Sequence, residues 1–179
     1  PSNRCYFCKV SLWAVLGVIA REEGFARLAD GCHLDDTMGH RPGRQAGQEV
    51  GVVSPLVEAR FTKADVRLAA RSLGLSVWDK PAMACLSSRF SYGVAITEEG
   101  LSRVDRAEDV LHDLGLGELR VRVHDSNLAR VEVSPAALEL ALSFRGVIVQ
   151  ELRRLGFSHV TLDLQGFRSG SMNERHPPT

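Results

Sequence analysis

The sequence predicts an α/β protein in two parts: a layer of short strands between helices over residues 1–95, then a small α/β domain over residues 96–179. Three observations carry this reading. Capped helical patterns alternate with short apolar runs through the first half. After Gly117 the pattern changes to two alternating stretches around a turn, which read as a β-hairpin. A length of 179 residues is enough for one core or two small ones.

Each element follows in order. From Cys5 onward, Leu12, Val15, Leu16 and Ile19 recur at helical spacing, and Gly24 marks the stop. "FARLADG" reads as a short strand ending at Asp30 and Gly31, where open α/β sheets carry ligand loops. "CHLDDTMGHRPGRQAGQEVG" has no apolar periodicity and is expected as a loop. A loop this long in a compact domain is usually functional or disordered. "VVSPL" reads as a second short strand. "TKADVRLAARSLGL" is a helix with Thr62 as N-cap, Asp65 as its box partner and Gly74 as stop. "SVWDKPAMACLSSRFSYG" is irregular, and a capped helix, "TEEGLSRVDRAEDVLHDLG", follows it. "ELRVRVHDSNLARVEV" is the hairpin, turning at Asp125-Ser126-Asn127. "SPAALELALSF" starts a helix with Ser134 as cap and Pro135 at the first helical position. "VIVQELRRLGF" continues as helix and "HVTLDL" closes as a strand.

Composition narrows the functional classes. Basic and acidic side chains balance at 22 each, so nothing suggests a bulk polyanion such as DNA, and no nucleic-acid partner is expected. The apolar run around "VSLWAVLGVIA", bounded by Lys9 and Arg21, is too short to span a bilayer. Four unevenly spaced cysteines do not make a disulfide scaffold and fit a reducing compartment, so a cytoplasmic location is expected. The chain opens on Pro1 already dense in motifs, as expected of a fragment.

Four groups of residues could carry chemistry. Cys5 and Cys8, three apart near a helix start, sit where exposed amides and the helix dipole favour thiolates. They read as mildly redox-active thiols, as part of a zinc site completed by Cys85 and Cys32 or His33, or with Cys85 as ligands of an iron–sulfur cluster. Arg4, Lys9 and Arg89 would offset the charge of such a cluster. In "ADGCHLDDTMGHRPG", Asp30, Asp35 and Asp36 either hold a divalent metal or solvate a loop. Arg41 and Arg44, around Gly43, suit a phosphate-bearing ligand. On the hairpin, alternation puts Arg120, Arg122 and His124 on one face, either a solvated face or an anion site. Arg168, Ser169 and Ser171 in "GFRSGSMNE" suit an oxyanion or form a polar tail.

Taken together, "RCYFCK", "ADGCHLDD", "PAMACLSSRFSYG" and "VTLDLQGFRSGSMNE" resemble, in this order and over nearly the whole chain, the LarE family. Members are ATP-dependent sulfur transferases of the PP-loop ATP pyrophosphatase (adenine nucleotide alpha hydrolase-like) superfamily, and they build the nickel-pincer nucleotide cofactor. The resemblance implies a partial Rossmann-like parallel layer in residues 1–95 and a sulfur-transfer and substrate domain in 96–179. It implies adenylylation by ATP of a carboxylate on a pyridinium dicarboxylate mononucleotide, then displacement of AMP by sulfur to leave a thiocarboxylate. Some members sacrifice the sulfur of a cysteine at the Cys85 position. Others hold a 4Fe-4S cluster on three cysteines, matching Cys5, Cys8 and Cys85. The resemblance further implies that Ser88, Arg89 and Glu108 line the transfer site with Cys85. It places ATP with Mg2+ near Asp30, Gly31, Asp35 and Asp36, and substrate phosphate on Arg120 and Arg122, in a homo-oligomer. Two departures stand out. Cys32 and His33 replace a Thr-Asn pair common in the family, with Cys32 expected to be non-ligating. The Gly-rich phosphate loop is absent and is expected upstream of Pro1, so the chain alone is not expected to hold ATP pyrophosphate.

Two rival readings have their own signatures. A tRNA-thiolating PP-loop enzyme would need a broad basic surface, which the balanced charge does not favour. A non-catalytic metal-binding module would fit the missing phosphate loop, and bound zinc in place of a brown cluster would identify it.

Overall fold

The computed structural model describes residues 3–38, 41–80, 83–125 and 127–168. Ser126 in the hairpin turn, and Ser169 and Ser171 in the closing glycine-rich segment, lie outside the described residues. The protein is mixed α/β and divides into two compact units between residues 82 and 83. Among the described residues, no helix is long and apolar enough to cross a membrane.

In the first unit, α1 (Arg4–Glu22) packs against α2 (Pro42–Glu49). The second of these helices lies inside the stretch that the sequence analysis expected to be loop. Its packing face is Gly43, Ala46 and Gly47, at helical spacing but without large apolar side chains, so periodicity could not reveal it. The closeness of the contact explains the composition. A methyl group on Gly43 would lie 3.0 Å from Lys9 Cγ and 3.3 Å from the Cys5 carbonyl oxygen; one on Gly47 would lie 3.2 Å from Trp13 Nε1. The strands expected at "FARLADG" and "VVSPL" reduce to one parallel bridge between Ala29 and Val53. Pro55, at a first helical position, then starts the single turn α3 (Pro55–Glu58). The last helix of the unit, α4 (Lys63–Ser72), begins at Thr62 as expected. Thr62 Oγ1 accepts from the Asp65 amide at 3.2 Å, and Asp65 Oδ2 accepts from the Thr62 amide at 2.9 Å.

The second unit contains α5 (Glu98–Asp113), β1 (Leu119–His124), β2 (Leu128–Val133), α6 (Leu138–Ser143), α7 (Arg145–Arg154) and β3 (His159–Leu162). Its sheet runs β1-β2-β3; the hairpin is antiparallel, and β3 joins β2 in parallel after the helical crossover. Leu119, Val121 and Val123 pair with Val133, Val131 and Ala129, giving one wholly apolar face. That face is buried with Val104, Ala107 and Leu111 of α5 and Ile148 and Leu152 of α7. The other face carries Arg120, Arg122, His124, Arg130 and Glu132.

Residues 83–95 belong to this second unit, so the division falls ahead of the 95/96 boundary expected from the sequence. Phe90 is the cause: it is 2 % exposed within the core and bridges Val123 in parallel along the free edge of β1. After β3 the chain continues beside the end of β2, the Phe167 amide donating to the Val133 carbonyl at 2.7 Å, and Gly166 there has a φ of +74°. A methyl group there would lie 2.8 Å from the Val133 carbonyl oxygen. Gly166→Ala is therefore expected to destabilise the second unit by about 2 kcal/mol, through left-handed strain plus the clash, measured by urea denaturation.

Candidate functional site

Cys85 is exposed and immediately precedes a 3-10 turn, Leu86–Arg89. The turn is held from beneath by Arg89, which is only 3 % exposed. Arg89 Nε and Nη2 donate to the two oxygens of Glu108 at 2.9 and 2.8 Å. Its Nη1 donates to the carbonyl oxygens of Ala84 at 2.8 Å and Cys85 at 3.2 Å, and lies 3.2 Å from Ser88 Oγ. Glu108, buried on α5, also accepts from the Val121 amide on the free edge of β1, at 2.9 Å. A planar fork bound on two sides leaves the guanidinium little freedom. The backbone at Cys85 is thereby tied to both α5 and the sheet, while the sulfur stays open to solvent.

The structure therefore brings together Cys85, Ser88, Arg89 and Glu108, the residues expected to share a site. Cys85, Arg89 and Glu108 border an open cleft of about 650 Å³ lined also by Met83, Asp105, Asp109 and His112. The sequence analysis did not single out the last three. The available signal was their spacing, since Asp105, Asp109 and His112 share the face of α5 that carries Glu108.

Arg122 and Arg120 stand differently. Arg122 is 5 % exposed; its Nε donates to Glu132 at 3.0 Å and its Nη1 to the Ser88 carbonyl oxygen at 3.2 Å. Burial pulls its pKa below the ordinary guanidinium value, and Glu132 opposes that shift. His124 Nδ1 lies 2.8 Å from Ser91 Oγ. The polar face of β1 thus serves in part to dock the Cys85 segment. Arg120 is half-buried, donates to the Leu119 carbonyl and stacks over Phe167, its guanidinium carbon 4.8 Å from the ring centre.

In the first unit, Cys5 and Cys8 are exposed on α1. Cys32 differs from them. Its thiol donates to Asp30 Oδ2 at 3.1 Å, and burial, together with that carboxylate, pushes its pKa up to about 11. Near neutral pH it is a neutral thiol. Burial alone would raise Asp30, but the bonds from Cys32 and Ser54 and the nearby Arg44 charge hold its carboxyl below the usual value. Asp35 accepts from the Lys63 amide at the start of α4, at 2.8 Å. Asp36 pairs with Arg41 at 2.8 Å and His33 at 3.2 Å. Gly31 is exposed with open space around its α-carbon. Within each unit, the described residues form no group of three His, Cys, Asp or Glu side chains in metal-binding geometry.

No family model matches the chain. Among curated proteins, it is 46 % identical over 175 residues to an uncharacterized protein of Synechocystis, covering 97 % of this chain and 65 % of the relative. It is 42 % identical over 169 residues to the pyridinium-3,5-bisthiocarboxylic acid mononucleotide synthase of Lactiplantibacillus plantarum, covering 94 % and 61 %. An uncharacterized protein of Methanocaldococcus jannaschii is 28 % identical over 167 residues, covering 93 % and 65 %. The chain spans just under two thirds of the length of these relatives.

Removing one member of a buried, hydrogen-bonded ion pair strands the other. Glu108→Ala is therefore expected to destabilise the second unit by roughly 3–5 kcal/mol. Glu108→Gln, which keeps an oxygen for Arg89, is expected to cost less. Chemical denaturation of both variants measures the difference.

Proposed function

We propose that the chain belongs to the LarE family and acts in an ATP-dependent sulfur transfer that converts carboxylates of a pyridinium mononucleotide to thiocarboxylates. The observation that carries this is the 42 % identity, across nearly the whole chain, to a protein named for making such a thiocarboxylate. The held but exposed Cys85 supports it, because sulfur transfer requires a reachable sulfur on a fixed backbone.

In the reaction, a substrate carboxylate oxygen attacks the α-phosphorus of ATP and pyrophosphate leaves. A sulfur nucleophile then attacks the acyl carbon, and AMP departs with that oxygen. AMP is a far better leaving group than hydroxide, so adenylylation makes the exchange feasible. ATP with Mg2+ is assigned to a site that includes Asp30, Gly31, Asp35 and Asp36. Cys85, Ser88, Arg89 and Glu108 form the transfer site, with Arg89 and Glu108 holding the backbone. Arg120, stacked on Phe167, is assigned to the substrate phosphate; Arg122, expected to share that role, is buried against Glu132 and the Ser88 carbonyl and is assigned to holding the Cys85 loop.

The first unit is read as part of a Rossmann-like parallel layer. Its parallel Ala29–Val53 bridge supports this. So does α1, which leaves Leu12, Val15, Val18 and Ile19 exposed along one side, an apolar face of the kind a sheet covers. We assign the protein to the cytoplasm as a homo-oligomer, without nucleic acid.

A 4Fe-4S cluster needs thiols open to the iron, and the exposed Cys5, Cys8 and Cys85 are the residues that would hold it. When bound, the cluster would supply the transferred sulfur as sulfide.

The test is anaerobic incubation of the full-length protein with ATP and a pyridinium dicarboxylate mononucleotide, with thiocarboxylate read by mass spectrometry. No thiocarboxylate would sink the proposal. Cys85→Ala is expected to abolish product. Cys5→Ala is expected to abolish product and lower bound iron; full activity in that variant would leave sacrifice of Cys85 as the sulfur source. Arg120→Ala is expected to weaken substrate binding by roughly 1.5–3 kcal/mol, one charge-assisted hydrogen bond, with ATP affinity unchanged. Titration of both ligands separates this from a folding defect, which would weaken both.

A further inference from the structure

Resting on the reading that Cys85 handles sulfur, we infer that Glu132 is a positioning residue that fixes the Cys85 loop through Arg122. Glu132 is fully buried, at 0 % exposure, on the central strand β2. Its Oε2 accepts from Arg122 Nε at 3.0 Å and lies 3.0 Å from Arg122 Nη2. Its Oε1 accepts from Arg130 Nη2 at 2.7 Å. Arg130 is itself anchored beyond the end of β3, its Nε 3.5 Å from Asp163 Oδ2. The carboxylate is therefore clamped from both sides and cannot follow Arg122 if that side chain moves.

The consequence appears at the third nitrogen of the Arg122 fork. With Nε and Nη2 on Glu132, the guanidinium plane is set, and Nη1 is aimed at the Ser88 carbonyl oxygen, 3.2 Å away. Ser88 closes the turn that begins at Cys85, since its amide donates to the Cys85 carbonyl at 2.9 Å. Arg89 and Glu108 grip the front of this turn and Arg122 and Glu132 grip its back. Glu132 is not among the residues lining the cleft that borders Cys85. Its role is to orient the arginine that reaches the loop.

A purely structural role would destabilise the whole unit; a positioning role loosens one segment. Hydrogen exchange on the intact chain separates the two, and it needs neither ATP nor substrate, so its outcome is independent of whether sulfur transfer occurs. Because Glu132→Ala could unfold the unit by stranding two arginines, the main variant is Arg122→Met with Glu132→Leu. This pair leaves no unpaired Arg122 or Glu132 charge, and Arg130 keeps Asp163. Exchange at the Ser88, Phe90 and Ser91 amides is expected to rise about tenfold, the shift that loss of one charge-assisted hydrogen bond permits. Exchange in α7 should match the parent. Glu132→Gln, which keeps an oxygen for Arg122, should lie closer to the parent than to the double variant. Unchanged exchange over residues 84–91, or a rise shared equally with α5 and α7, would overturn the assignment.

Discussion

The arrangement of the second unit depends on one buried ion pair, Arg89 with Glu108. The pair joins three things that the chain brings from distant positions: the Cys85 turn, α5 and the free edge of β1. Desolvating two charges is expensive, and an apolar pair of similar volume could pack as well. What apolar side chains cannot do is bind carbonyl oxygens. The Ala84 and Cys85 carbonyls and the Val121 amide need partners, and a guanidinium and a carboxylate locked together supply them in fixed directions. The gain is geometric specificity at an irregular segment that no sheet ladder orders.

The same logic spreads across the polar face of the hairpin. Arg120, Arg122, His124, Arg130 and Glu132 share it because of strand alternation, while Leu119, Val121 and Val123 form the core on the other side. Two bland outcomes were open for such a face, solvation or a bound anion. Arg122 and His124 instead turn inward to hold residues 88–91, and Arg120 rests on Phe167. A strand of alternating arginines can thus be consumed by the protein's own backbone, and each guanidinium must be judged by its burial before it is assigned to a ligand.

What was legible in the sequence follows from what each element buries. The hairpin and α5 show clear periods because one face of each is large and apolar. The Thr62 cap was legible because capping is local chemistry. The α2 helix was not, because Gly43, Ala46 and Gly47 pack by being small, and smallness at helical spacing looks like loop composition. The short strands of the first unit were overread, since the apolar letters around Ala29 and Val53 secure a single bridge among the described residues. The Cys85 site was partly legible. Ser88 and Arg89 stand beside Cys85 in sequence, but Glu108 reaches it only by folding, and the resemblance named it where spacing could not. Glu132 was invisible, as a glutamate in an alternating strand reads as solvent-facing.

The cysteines show how environment sorts one residue type into different chemistries. Cys32 is half-buried, with a carboxylate accepting its proton and its pKa pushed up to about 11, so near neutral pH it is a hydrogen-bond donor and little else. That suits its place in the loop: with the Asp30 carboxylate occupied by the Cys32 amide and thiol, the turn after Asp30 closes on itself. Cys85 has the opposite setting, a solvent-open sulfur on a backbone whose carbonyl faces a buried cation. Under the proposed sulfur transfer, a sulfur gains from being reachable, provided the chain beneath it does not move. The second unit meets both conditions by placing its charges under the loop and leaving the cleft above Cys85 open.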